Sequence, residues 1–128
     1  MQKFEHLSIG TKLFLQINSS DDFSEKFSEI IAFLDDFDDQ YSRFKKDNWL
    51  YQLNQRGKNI LDEHTEKMIF FMQKIARETD GYFDPTIGKR LTELGYGNSD
   101  FFFSPEKFIH QDLDKILTIS KNIVSIKK

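Results

Sequence analysis

The stretch Thr79-Asp80-Gly81-Tyr82-Phe83-Asp84-Pro85-Thr86-Ile87-Gly88 decides how this chain is read. A long amphipathic segment runs into it and stops at Gly81, since glycine readily takes the left-handed conformation that closes a helix. Asp84 stands directly before Pro85, the pattern of an N-cap followed by proline at the first helical position. The spacing predicts two helices meeting nose to tail, with Tyr82, Phe83 and Asp84 displayed between them. A new helix N-terminus carries free N–H groups and suits an anionic ligand. The purely structural alternative is a well-capped turn that sends Phe83 into the core.

Upstream of this stretch, Asp62 is expected to cap a long helix. Thr65, Met68, Ile69, Met72, Ile75, Ala76 and Thr79 mark its inner face. His64 falls in the exposed first turn and, with no second histidine at ligand spacing, reads as a surface residue. An earlier helix of the same kind is expected from Asp21 onward, capped by Ser19 or Ser20, with Asp21 and Asp22 favoured by the helix dipole. Phe23, Phe27, Ile30, Ile31, Leu34, Phe37 and Tyr41 give it one continuous apolar stripe. Asp35, Asp36, Asp38 and Asp39 at its far end read as a solvated acidic face rather than a metal site.

Between these helices, Ser42-Arg43-Phe44 is expected to be extended or looped. Asn48 then caps a short helix burying Leu50 and Leu53, Arg56-Gly57-Lys58 turns, and Ile60-Leu61 forms a brief strand. Residues 4–17 alternate like a strand, or two short strands broken near Gly10, where a bulge or close backbone approach is expected. Beyond the central stretch, residues 85–94 read as a short helix ended by Gly95-Tyr96-Gly97. Residues 98–104 follow as a loop, and Ser104-Pro105-Glu106 begins one more helical turn. Residues 116–120 and 123–126 flank Lys121-Asn122 as a hairpin. The sum is an α+β fold in one domain, residues 1–128, with two long amphipathic helices on a small, mostly antiparallel sheet.

Composition narrows the function. With 128 residues the chain can bury a real core, and its net charge of −3 comes from interspersed lysines and acids. That argues against a nucleic-acid partner, which needs a basic stripe. Cysteine is absent, which excludes disulfides and thiolate metal sites. No apolar run approaches the ~20 residues that span a bilayer. The first ten residues lack the apolar core of a signal peptide. As written the chain reads as cytoplasmic, and a membrane-associated parent stays open. Fourteen phenylalanines stand against one tryptophan; they fill a core, or some flank a planar ligand, and Phe101, Phe102 and Phe103 fall where burial is not guaranteed. Phosphate-loop, dinucleotide-fingerprint, zinc-protease, calcium-loop and nucleophile-elbow patterns are all missing. His6, His64 and His110 are far apart in sequence, so the residues alone suggest a ligand turn and no catalytic residue.

Four stretches taken together resemble the N-terminal half of the ApbE family, the FAD:protein FMN transferases. Ile9-Gly10-Thr11 resembles the family's opening Met-Gly-Thr, and Ser42-Arg43-Phe44-Lys45-Lys46-Asp47 its Ser-x-Tyr-x-x-x segment. Leu50-Tyr51-Gln52-Leu53-Asn54 resembles Leu-x-x-Leu/Phe-Asn. Residues 79–88 resemble Thr-x-Gly-Ala-Phe-Asp-Pro-Thr-Val-Gly, the most specific of the four. Their order and spacing, over nearly the whole chain, carry the resemblance.

The resemblance implies an enzyme that moves FMN from FAD to a threonine or serine of a target flavoprotein, with Mg²⁺ neutralising the diphosphate and AMP released. It implies flavin-nucleotide contacts from Ile9, Phe44, Tyr82, Phe83 and Asp84, supported by Ser42, Asn54 and Thr86. Apolar and aromatic groups hold a planar ring, while turn backbone and Asp84 fix polar edges. Ile9 stands for the usual methionine and Phe44 for the usual tyrosine, which leaves stacking intact and removes a hydroxyl. The family's later Gly-Gly-x-x-Lys-Gly and His-x-x-Asp-Pro-x-Thr-Gly segments, and its magnesium-holding Asp and Thr, have no match here. The expectation is therefore an N-terminal portion that binds FAD weakly, has its Mg²⁺ ligands elsewhere and is inactive alone. A bare fragment of this kind is expected to self-associate through apolar strand edges. The alternatives are a non-catalytic flavin-nucleotide-binding module and a partner-binding remnant without a ligand.

Overall fold

Alternating apolar and polar residues at the start of the chain form two strands, β1 (Gln2–Ser8) and β2 (Thr11–Ile17), paired antiparallel from Gln2 opposite Ile17 to Ser8 opposite Thr11. The structure is a computed structural model and describes residues 1–95 and 112–127. Tyr96-Gly97, the loop over 98–104 with its three phenylalanines, the turn expected at Ser104-Pro105-Glu106, and His110 lie outside the described residues. Where a bulge is expected, Ile9 and Gly10 form the two-residue link of a hairpin, with φ of 47° and 73°. Two positive φ values are what a tight turn needs to follow the strands' twist. The β-branched Ile9 thereby sits in a region it disfavours. The chain divides into two compact units, residues 1–52 and 53–128.

In the first unit, helix α1 (Ser24–Tyr41) lies against β1. Phe27 is buried and stacks on Phe4 at 3.6 Å between ring centroids. The helix starts later than its serines suggest. Ser19 Oγ accepts from Asp21 N–H, and Asp22 Oδ1 accepts from both Ser24 N–H (2.9 Å) and Ser24 Oγ–H (2.7 Å). Asp22 therefore stands outside the helix and bonds its first N–H, an alternative open to a short acidic side chain. Those bonds hold the Asp22 carboxyl below its usual pKa. Ile30, placed on the inner stripe by its spacing, remains exposed. The acidic end of α1 is paired as well as solvated. His6 Nε2 and Ser8 Oγ reach Asp35 Oδ1 at 3.0 and 3.2 Å, and Lys45 Nζ meets Asp38 and Asp39, each at 2.6 Å.

Helix α2 (Trp49–Arg56) follows, capped as expected by Asn48, whose Oδ1 accepts Tyr51 N–H at 2.8 Å. Its Leu53 is buried and Leu50 half-buried.

The second unit holds a three-stranded antiparallel sheet of β3 (Lys58–Ile60), β4 (Leu117–Ser120) and β5 (Ile123–Ile126), in the order β3-β5-β4. The short strand thus runs earlier than Ile60-Leu61, because the bonds to β5 begin at Lys58 opposite Ser125. Val124 on the central strand is completely buried. Helix α3 (Glu63–Glu78) is capped by Asp62, whose Oδ1 accepts Thr65 N–H at 2.7 Å. Thr65, Ile69, Gln73 and Ala76 are buried, and Met68, Met72, Ile75 and Thr79 half-buried. Gln73 is the surprise on this face. Its Nε2 donates to Leu117 O at 3.0 Å, giving a buried carbonyl the partner it needs. Ile116 ends the short helix α5 (Leu113–Ile116) rather than opening β4. The fold class is the expected α+β one, with the strands divided between two small antiparallel sheets.

Candidate functional site

In the second unit, the end of α3 builds a turn out of its own backbone. Gly81 N–H bonds Ala76 O at 2.8 Å and Asp80 N–H bonds Arg77 O at 3.3 Å, the paired bonds of a Schellman closure. Asp80, with φ of 48°, is the first left-handed residue, and Gly81 at 78° continues it. The Thr79 hydroxyl donates to Ile75 O at 2.8 Å and accepts Phe83 N–H at 3.1 Å, while Tyr82 N–H bonds Thr79 O at 2.9 Å. Tyr82 projects into solvent, 97% exposed, and Phe83 is 39% exposed. The alternative that places Phe83 in the core is therefore wrong, since more than a third of the residue meets solvent.

Asp84 differs from its expected role. Its Oδ1 accepts both Thr86 N–H (2.8 Å) and Thr86 Oγ1–H (2.6 Å), a local turn closed by the aspartate itself. Helix α4 (Gly88–Glu93) begins only afterwards, with Ile87 as N-cap and no side-chain cap. Pro85 is thus a turn residue, not the first residue of a helix. The structure brings Tyr82, Phe83, Asp84 and Thr86 together on one short, bonded turn. Asn54, also in this unit, is exposed on α2.

In the first unit, Ser42 ends α1, its N–H bonding Asp38 O at 3.0 Å. Its Oγ accepts Phe44 N–H at 3.4 Å and its carbonyl accepts Asn48 Nδ2–H at 2.8 Å. Phe44 is 67% exposed, with the Arg43 guanidinium 4.5 Å from its ring centre. That is a cation–π contact over an exposed ring. Neighbouring Lys45 has its pKa raised by hydrogen bonds to Asp38 and then Asp39. Ile9 stands at the hairpin tip, 51% exposed. Sequence reasoning missed Thr79 as an organiser of the turn; its threonine at the helix end, four residues before Phe83, is the signal. Arg43 was likewise legible only as the neighbour of an aromatic.

Among the described residues, no three His, Cys, Asp or Glu side chains gather as a metal site. No helix among the described residues is long and apolar enough to cross a membrane.

Long helices beside small antiparallel sheets, with an exposed aromatic turn closing the longer helix of the second unit, form an α+β fold shared with solved flavin transferases. The chain belongs to the ApbE family, whose family model matches residues 9–125. The apo flavinyl transferase ApbE of Pseudomonas stutzeri is similar in structure, with a TM-score of 0.76 at 15% identity over 98% of this chain and 43% of that one. A mutant of the flavin transferase ApbE of Vibrio cholerae is similar at a TM-score of 0.70 and 21% identity, over 98% of this chain and 45% of that one. At these identities the likeness is one of fold. The chain spans less than half the length of either protein. No curated protein matches it.

Proposed function

We propose that this chain supplies the N-terminal, flavin-nucleotide-binding portion of an FAD:protein FMN transferase. The observation that carries the reading is the family match over residues 9–125, which includes the exposed turn of Tyr82, Phe83 and Asp84. In the reaction, an acceptor threonine or serine oxygen of a flavoprotein bonds to the FMN phosphorus. The bond from that phosphorus to the bridging oxygen breaks, AMP leaves with that oxygen, and the hydroxyl proton is lost. Such transfer depends on positioning and charge neutralisation. This chain's part is positioning: Tyr82, Phe83 and Phe44 present ring surface, Ile9 apolar surface and Asp84 a polar edge. Ser42 fixes Phe44 and Thr86 fixes Asp84 through the bonds already described. Asn54 belongs to the same binding set by its place in the family pattern. The metal and transfer groups lie outside this set, so residues 1–128 alone bind FAD and transfer nothing.

The test is a fluorescence titration of the purified chain with FAD, run beside Tyr82→Ala and Phe83→Ala. Saturable quenching that weakens in both variants is expected. A flat titration of a chain that unfolds cooperatively would instead make it a partner-binding remnant. Release of AMP from FAD by this chain with Mg²⁺ would overturn the claim of inactivity.

A further inference from the structure

The first unit holds a polar cluster outside the candidate binding set. On β1, Gln2, Phe4, His6 and Ser8 alternate on the face turned to α1. Gln2 Oε1 accepts Phe23 N–H at 3.2 Å, and Phe4 stacks on Phe27. His6 Nε2 and Ser8 Oγ meet Asp35 Oδ1 at 3.0 and 3.2 Å. The first two contacts are neutral. The last, at the end of β1 that runs into Ile9, is an ion pair whenever His6 is protonated.

A carboxylate only accepts, so His6 Nε2 donates, and Nδ1 is where a proton is gained or lost. Histidine changes charge between about pH 5 and 8. Asp35 stays ionised through that window, because the His6 hydrogen bond holds its carboxyl below the usual range. The other charges around the pair are committed elsewhere. From β2 the residue opposite His6 is Leu13, while Glu5 and Lys12, on the other face of the hairpin, pair at 2.7 Å. On α1, Asp38 and Asp39 each meet Lys45 at 2.6 Å, and Asp36 accepts from Gln40 at 2.9 Å. Lys45, which also draws on Asp35, stays charged throughout. Within this window the group that changes is His6.

We propose that His6 and Asp35 are positioning residues for the nucleotide site: they clamp the end of β1 that carries the Ile9 tip onto α1, and the clamp tightens when His6 is protonated. This role rests on the flavin-nucleotide reading above, in which Ile9 supplies apolar surface, and adds a pH control to it. Acids at the C-terminal end of a helix oppose its dipole, but here they serve as anchors. Asp35 holds the strand leading to Ile9, and Asp38 and Asp39 hold Lys45, the neighbour of Phe44. One helix end thus secures both the hairpin and the segment around Phe44.

FAD titration of the full chain at about pH 5.5 and about pH 8 tests the role. FAD gains and loses no proton in this range. Binding is expected to be about two- to fivefold weaker at the higher pH, the worth of a half-exposed ion pair. His6→Gln keeps a neutral N–H donor for Asp35 at every pH, and Asp35→Asn keeps an Oδ1 acceptor without the charge. The pH dependence should vanish in both, whereas a bond that only supports the fold would shift affinity equally at the two pH values. A dependence that survives unchanged in either variant overturns the proposal. NMR of the unaltered chain without ligand gives a second arm that needs no variant to fold. The Ser8 and Gly10 amide resonances should move with the midpoint of the His6 imidazole titration, and amides that stay still overturn the proposal. If FAD binds the unaltered chain equally at both pH values, the positioning role fails while the flavin-nucleotide reading stands. If FAD binds at neither, both fail.

Discussion

Replacing Thr79 by valine tests whether one hydroxyl organises the exposed turn. Valine keeps the shape and the β-branch and removes only the oxygen. That oxygen donates to Ile75 O and accepts Phe83 N–H at 3.1 Å. Ile75 O keeps the Thr79 N–H at 3.0 Å, and the Phe83 N–H can turn to water, so no buried group is left unpaired. The net loss is one ordinary hydrogen bond, about 1 kcal/mol, or roughly 3–5 °C in melting temperature for a domain of this size. Function should respond more than stability. Freeing Phe83 makes ligand binding order the turn, at about 1–2 kcal/mol per residue fixed, so FAD affinity should drop about tenfold. Amide exchange at Phe83, read by NMR, should accelerate in Thr79→Val and recover in Thr79→Ser, which retains the oxygen. Equal Phe83 exchange in all three proteins would refute the reasoning, whatever the FAD titrations show.

Other perturbations follow from the same structure. Ile9→Asn creates Asn-Gly in a turn with two positive φ values, and should raise hairpin stability by about 1 kcal/mol in urea unfolding while weakening FAD binding. Gln73→Leu leaves Leu117 O without its buried donor, and should cost about 1–3 kcal/mol in the same assay. The Asp62 carboxyl is held below its usual range, first by the Thr65 backbone N–H. Its folded pKa is therefore depressed, so its stabilisation is present above the unfolded value of about 4 and is lost as pH falls through the folded one. Asp62→Asn should flatten that part of the acid-unfolding curve. The His6 hydrogen bond likewise holds the Asp35 carboxyl low, and Asp35→Asn should soften acid unfolding in the same direction.

Much of the fold was legible because its signals are local. Asp62 and Asn48 cap where their side chains can reach an N–H three residues on, and the apolar spacing after Asp62 admits one helical face. The start of α1 was not legible, since Ser19, Ser20, Asp21 and Asp22 are all competent caps, yet the N-cap position falls at Phe23 while Asp22 bonds the first helical N–H from outside. Gln73 was missed because a polar residue on an inner stripe reads as an interruption until its partner, Leu117 O, appears across 44 positions. At the turn, Gly81 is the residue best suited to a left-handed conformation, but Asp80 takes the first such position. Asp84 was misread because a helix cap and a self-closed aspartate turn share one pattern, an acid with a donor two or three residues on. Tyr82, Phe83, Asp84 and Thr86 could be grouped because they are nearly contiguous. Ile9, Ser42 and Phe44 entered only through the family pattern, since nothing in their local chemistry names a flavin.

Ile9 and the turn over residues 79–86 are held in their conformations in opposite ways. The bonds that shape residues 79–86 span five positions or fewer, so this turn is formed by the end of α3 itself and little ordering remains for binding to supply. Ile9 is held in its conformation by the pairing of β1 with β2 on either side, against its own preference. Ile9 is thus strained and exposed at a hairpin tip where asparagine or glycine would sit easily. Strain at Ile9 and self-sufficiency at Asp84 thus share one consequence: each surface, apolar at Ile9 and accepting at Asp84, is set by bonds within its own unit.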